Sequence, residues 1–311
     1  MNPSSCVLSR LTNWTASTYI PRSASGWLIT SNAGRLRTSV DSSVAGRWAQ
    51  DGCMWATTES VISADGTRIL FHTLGDGPPL VILHGALVRV ENYLPMAEML
   101  AGDYRVVVVG RRDYAPSGNG SGPRTFARQV EDLGAVLELQ GGPSFVFGHS
   151  AGGLVALEAL AADIPNIRRF ALYEAPLVFA GGPLRATLER ARELVADDPG
   201  EAVVEFFKAI LDQPVPEGML GKMGAAMADR AAGLIADLEC ITAMDPDSGR
   251  WGAMNTPALL LAGTASDRYG PASMETLDAA LPDSRFVSLP GLTHSPDDFT
   301  PVANILREFF Q

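Results

Sequence analysis

The chain is short of lysine, histidine and cysteine, and it has no long apolar run. Cys6, Cys53 and Cys240 are odd in number, widely spaced and outside any paired motif. That excludes a disulfide framework and fits a reducing, cytoplasmic compartment. No apolar stretch approaches the roughly 18 residues that span a bilayer. Lys208 and Lys222 stand against 22 arginines, an imbalance that genomic base composition explains without an arginine-dependent function. Acids exceed bases to a net charge of −11, which argues against nucleic acid or an anionic membrane as partner. What is plentiful is apolar: 46% of 311 residues, enough for one large core.

The charge is unevenly spread. Residues 1–53 carry five arginines and, as acids, only Asp41 and Asp51, so this stretch is +3 and the remainder −14. It is rich in serine, lacks sustained periodicity and reads as a disordered or non-native extension. An upstream start with Met54 as the working initiator gives the same pattern. An Arg-rich, Ser-rich, acid-poor organelle transit segment is the competing reading. Residues 54–311 are expected to form the folded domain.

From Val61 onward strand and helix patterns alternate. Val61–Ser63 and Arg68–Leu74 suggest a hairpin around Asp65-Gly66. "PLVILHG", "YRVVVVG", "SFVFGHS", "RRFALYEA", "PALLLAG" and "RFVSLPG" read as strands, with helices over Val90–Leu100, Thr125–Leu139 and the chain's end at Phe310. Solid apolar strands separated by helices predict an α/β fold with a mostly parallel, doubly wound sheet covered on both faces. Between about residues 176 and 250 the alternation stops. Helices are expected there over Leu184–Ala196, Glu201–Leu211 and Glu217–Ala243, a lid-like insertion over the carboxyl edge of the sheet. Met219, Met223 and Met227 form one stripe of the last of these. Such a stripe packs on the sheet domain or roofs an apolar acyl pocket.

One corner carries chemistry. In Gly148-His149-Ser150-Ala151-Gly152 a buried strand runs directly into a helix, with a lone serine at the apex. Such a turn strains its apex residue and presses the positions two away against each other, where only glycine fits. The serine is lifted above the sheet edge, next to a helix amino terminus that stabilises negative charge. This pentapeptide in this context resembles the nucleophile elbow of the α/β-hydrolase family, and the resemblance covers Val61 to Phe310.

The resemblance implies a serine hydrolase with Ser150 as nucleophile. A general base must take its proton. Of four histidines, His72 lies in the hairpin and His84 beneath the sheet edge, while His149 sits inside the elbow and points away. His294, between the last strand and last helix, is where the family places its base. A metal site at His294, Asp297 and Asp298 lacks a second histidine. The third member is open between two carboxylates. Asp267, after "LLLAG", satisfies the order nucleophile, acid, histidine, and is favoured. Yet the family's usual place, three residues past the strand-ending glycine, holds Ser266, and Asp267 is one step late. Glu174, at the end of the preceding strand, is the alternative, since some members carry the acid there. The resemblance also implies an oxyanion hole from the backbone N–H groups of Ala86 and Ala151.

The loop after the fourth strand, "GRRDYAPSG", keeps Arg112 and Ser117 of the family's pattern but departs from it at Gly110, Asp113 and Ala115. The glycine-rich run Gly118–Gly122 opens no helix and is stopped by Pro123, so it is not a nucleotide loop. The expected function is hydrolysis of a small, apolar carboxylic ester through an acyl-enzyme. No cofactor and no metal are implied, the partner is a small-molecule substrate, and oligomeric state leaves no mark. The same triad resembles that of cofactor-free haloperoxidases and carbon–carbon bond hydrolases. A non-catalytic, ligand-binding member of the fold is the remaining alternative.

Overall fold

The apolar runs assemble as one eight-stranded sheet in the order β1-β2-β4-β3-β5-β6-β7-β8. The computed structural model describes residues 56–311, so the extension expected over residues 1–53 lies outside the described residues. The strands are β1 (Thr57–Ile62), β2 (Arg68–Leu74), β3 (Pro79–Leu83), β4 (Arg105–Val109), β5 (Ser144–His149), β6 (Ile167–Tyr173), β7 (Ala258–Gly263) and β8 (Ser284–Leu289). β2 runs antiparallel to both neighbours, and every pair from β4 through β8 is parallel. The hairpin turns at Gly66, whose φ of 86° suits glycine.

Five helices cover the sheet: α1 (Leu94–Leu100), α2 (Phe126–Gln140), α3 (Ala151–Ala161), α8 (Tyr269–Ala280) and α9 (Thr300–Phe309). Strand alternation sorts the core into two layers. Leu80, Ile82, Val106 and Val108 pack with Met96 and Leu100 of α1 and Val302 and Leu306 of α9. Val81, Leu83, Val107 and Val109 face the other way, toward Leu133 of α2, Leu154 and Leu157 of α3, and Leu277 of α8. The period of two along each strand dictates this division. The helix expected from Thr125 begins one residue later, because Thr125 is its cap and accepts from the Arg128 N–H.

The insertion between β6 and β7 is helical: α4 (Arg185–Leu194), α5 (Pro199–Ile210), α6 (Glu217–Met227) and α7 (Ala231–Ala243). The single helix expected over Glu217–Ala243 is broken by a 3₁₀ turn at Ala228–Arg230. There Arg230 donates back to the Ala226 carbonyl, satisfying the end of α6, and also to the Leu87 carbonyl. These helices have their own core, in which Leu188, Val203, Met227 and Leu234 pack around Leu87. Met227 is thus buried within the helical layer, not against the sheet, and Met219 and Met223 are half-buried. Among the described residues no helix is long and apolar enough to cross a membrane.

Candidate active site

Ser150 has φ 52° and ψ −126°, a strained backbone that no helix or strand uses. The packing around the turn explains why it persists. A Cβ on Gly148 would lie 2.6 Å from the Cα of Gly153, and one on Gly152 would lie 2.5 Å from the His84 carbonyl oxygen. Glycine at 148 lets β5 and α3 cross this closely, and glycine at 152 lets α3 approach the end of β3. The Ser150 Cβ in turn lies against Gly85, at the start of the loop after β3.

His294 approaches from the loop after β8. Its Nε2 is 3.1 Å from Ser150 Oγ, and its Nδ1 is 2.7 Å from Glu174 Oε2. A carboxylate only accepts, so Nδ1 carries the proton and Nε2 accepts from the serine hydroxyl. Glu174 follows β6 with φ 48°, a second positive φ at the end of a neighbouring strand. Its side chain is fully buried. The other carboxylate oxygen accepts from the Gly263 N–H at 2.7 Å and the Ser266 hydroxyl at 2.5 Å. Gly270 leaves room for this carboxylate, since a Cβ there would lie 2.5 Å from Oε2.

Asp267 does not reach the histidine, contrary to the expectation that favoured it. With Ser266 turned inward to Glu174, the next residue faces outward, and Asp267 accepts from the Asp212 N–H at 3.0 Å. The alternative acid, Glu174, occupies the position on the imidazole. The signal for it was present: Ser266 at the usual acid position is a donor, complementary to a carboxylate arriving from β6.

The N–H groups of Ala151 and Ala86 donate to no protein acceptor among the described residues. The loop that carries Ala86 is held from several sides. Gly85 N–H donates to Tyr93 Oη at 3.3 Å, and Leu87 N–H to Tyr114 Oη at 3.2 Å. His84 Nε2 accepts from the Arg111 N–H at 3.0 Å, which leaves Nδ1 to donate to the Gly85 carbonyl at 2.7 Å. Burial, with the Arg111 charge beside it, pushes the His84 imidazole down to about 3, so it is neutral.

Arg111 itself is buried and makes two bonds, of 2.6 and 2.8 Å, to Asp237 of α7. Burial alone would lower the guanidinium, but the Asp237 carboxylate outweighs it and holds it above its usual value. The Tyr114 hydroxyl also donates to Asp237, at 2.7 Å. Arg111 and Tyr114, in the loop after β4, therefore join the helical insertion to the sheet. Arg112, by contrast, spans Asp132 and Asp65, and Ser117 donates to the Gly110 carbonyl. Both stabilise the loop itself. Among the described residues no group of three His, Cys, Asp or Glu side chains is arranged to hold a metal ion.

The chain matches the model of a family described as the alpha/beta hydrolase family over residues 80–303. It belongs to that family. An alpha/beta hydrolase from Sphaerobacter thermophilus superimposes with a TM-score of 0.71 at 30% identity, over 81% of this chain and 100% of that one. An esterase from Rhodococcus superimposes with a TM-score of 0.64 at 25% identity, over 81% and 98%. A pimeloyl-[acyl-carrier protein] methyl ester esterase from Xanthomonas oryzae is 33% identical over 109 residues, 35% of this chain. The chain spans 41% of that relative's length.

Proposed function

We propose that this alpha/beta hydrolase is a serine esterase that cleaves a small, apolar carboxylic ester through an acyl-enzyme. The observation that carries the reading is the line of contacts Ser150–His294–Glu174, 3.1 and 2.7 Å long. In this reading Ser150 Oγ attacks the ester carbonyl carbon while its proton passes to His294 Nε2. Glu174 holds the imidazole in the tautomer that can accept, and stabilises it once charged. The oxyanion forms against the N–H groups of Ala151 and Ala86. Collapse breaks the ester C–O bond, and His294 returns its proton to the departing alcohol. Water then adds to the acyl-enzyme with His294 again as base. A carboxylic acid leaves, and Ser150 regains its proton.

Two features favour esters. The machinery asks for no cofactor, and the relatives with similar chains include proteins described as esterases. The helical insertion over residues 176–250 is read as the lid; in support, its core packs against Leu87, the residue after Ala86 in the loop that follows β3. The two donors on one side of Glu174 support its role as acid and weigh against a non-catalytic member of the fold.

A fluorophosphonate tests the reading directly. It is expected to label the protein at Ser150 alone, and Ser150→Ala is expected to lose both labelling and hydrolysis of p-nitrophenyl esters. Labelling that persists in the variant would overturn the assignment. A panel of short- and medium-chain esters then sets the acyl range.

A further inference from the structure

His149 and Tyr173 have no part in the chemistry above, yet they stand immediately before the nucleophile and the acid. They are registered partners, the last pair of the β5–β6 ladder. Each donates to the loop that carries the base, and the two acceptors are consecutive carbonyls. Tyr173 Oη donates to the Thr293 carbonyl at 2.6 Å, and His149 Nε2 lies 2.8 Å from the His294 carbonyl. On this observation, and resting on the serine hydrolase reading, we propose that His149 and Tyr173 form a clamp. It fixes the His294 backbone so that one imidazole meets both Ser150 and Glu174. Both are positioning residues.

Donor directions around His149 are fully determined. A carbonyl only accepts, so His149 Nε2 carries hydrogen and donates to His294. Its Nδ1 is then the bare nitrogen, and the Tyr93 hydroxyl, 2.5 Å away, donates to it. Tyr93 in turn accepts from the Gly85 N–H. A single chain of hydrogen bonds thus runs from the loop beside the proposed oxyanion hole, through the elbow, to the base. With Nδ1 protonated the Tyr93 hydroxyl would have to turn from donor to acceptor, and burial disfavours that charged form of His149. The ring is buried, and the His149 and His294 ring centroids are 4.9 Å apart. A neutral His149 adds no charge beside an imidazole that must itself become charged.

The clamp explains a need specific to this site. The base must satisfy contacts of 3.1 and 2.7 Å to groups on two different strands, and it comes from neither strand. A displacement of about 1 Å at such a group costs on the order of 100-fold in rate. Two anchors on successive carbonyls remove the rotation of the loop that one anchor would allow.

The test uses the full chain, with the rate of fluorophosphonate labelling and steady-state ester hydrolysis as readouts. Tyr173→Phe removes one oxygen and keeps the ring packing. It is expected to lower kcat and the labelling rate together by about 2- to 10-fold, with KM almost unchanged. His149→Leu removes the donor and the acceptor, and is expected to cost about 100-fold in kcat. His149→Gln can accept from Tyr93 and donate to the His294 carbonyl, and is expected to recover most of that loss. Labelling at the unsubstituted rate in both Tyr173→Phe and His149→Leu would overturn the clamp, as would a raised KM with unchanged kcat. A glutamine variant as slow as the leucine one would overturn it too. Tyr173→Phe decides the matter if His149→Leu does not fold. Failure of the unsubstituted protein to label would instead overturn the hydrolase reading and the clamp with it.

Discussion

The hydroxyl of Ser266 donates to the carboxylate of Glu174 across 2.5 Å, joining the turn after β7 to the end of β6. The bond has a direction that matters. It falls on Oε1, so Oε2 remains aimed at the His294 Nδ1. The Gly263 N–H adds a second donor to the same oxygen. A carboxylate held by two donors on one side presents the other side without rotating.

Ser266→Ala therefore leaves Glu174 with the Gly263 N–H as its one remaining positioning donor. The expected result is a fall of about 5- to 20-fold in kcat, the size of one hydrogen bond to a charged group. Steady-state ester hydrolysis measures it.

Glu174→Gln keeps the shape but removes the charge that orients the imidazole. A loss of about 10,000-fold in kcat is expected. Asp267→Asn alters a half-buried group bonded to the Asp212 N–H. It is expected to change kcat/KM by less than about threefold. The reverse ranking would return the acid to Asp267.

Gly270→Ala would set a methyl group against the Glu174 carboxylate. Gly270 lies in the first turn of α8, where alanine is the better helix former. Activity is expected to fall by about 10-fold or more while the melting temperature changes little. Kinetics and thermal unfolding, measured on one preparation, separate the two effects.

Asp237→Asn breaks the buried pair with Arg111 and leaves a guanidinium charge uncompensated. Loss of one partner of such a pair costs about 3–5 kcal/mol. Denaturant unfolding is expected to show a loss of that order.

Acid is expected to destabilise the fold through its buried histidines. Burial, and then the neighbouring His294, hold His149 well below its ordinary value; burial and Arg111 do the same to His84. Both folded values lie below the unfolded one, so below about pH 6.5 the unfolded chain takes up protons that the folded chain refuses. Stability is therefore present above that pH and is lost as pH falls. His84 continues to contribute to the loss down to about pH 3. Each such histidine gives a slope of up to about 1.4 kcal/mol per pH unit. His149→Gln removes one of them, so its stability relative to the unsubstituted protein is expected to rise by about 1.4 kcal/mol between pH 7.5 and 5.5. Urea unfolding at the two pH values reads the difference.

Strands and helices were legible because their signal is local. Four consecutive valines in Arg105–Val109, or the run of leucine and alanine in Ala258–Gly263, can be little else in this context. The elbow was legible because Gly148, Ser150 and Gly152 respond to one steric requirement within five residues. The carboxylate was harder, because its position depends on which way successive residues of a turn face. Ser266 and Asp267 are adjacent in sequence, and only the turn decides that the first looks inward. The Arg111–Asp237 pair joins residues 126 positions apart and has no local signature. The break at Ala228–Arg230 was hidden because every residue there is a tolerable helix former. At the break Arg230 bonds a distant carbonyl, that of Leu87, a contact with no local signature.

The registered pairing of His149 with Tyr173 divides the site into a stiff part and an adjustable one. Oxygen and carboxylate issue from neighbouring rungs, so their separation is inherited from an interstrand spacing of about 4.8 Å. It cannot drift unless a ladder of backbone bonds is broken. The imidazole has no such inheritance, for it arrives from β8, two strands beyond β6. Damage to the ladder would thus unfold the molecule before it misaligned the site. Damage to the turn around Thr293 would misalign an otherwise intact fold.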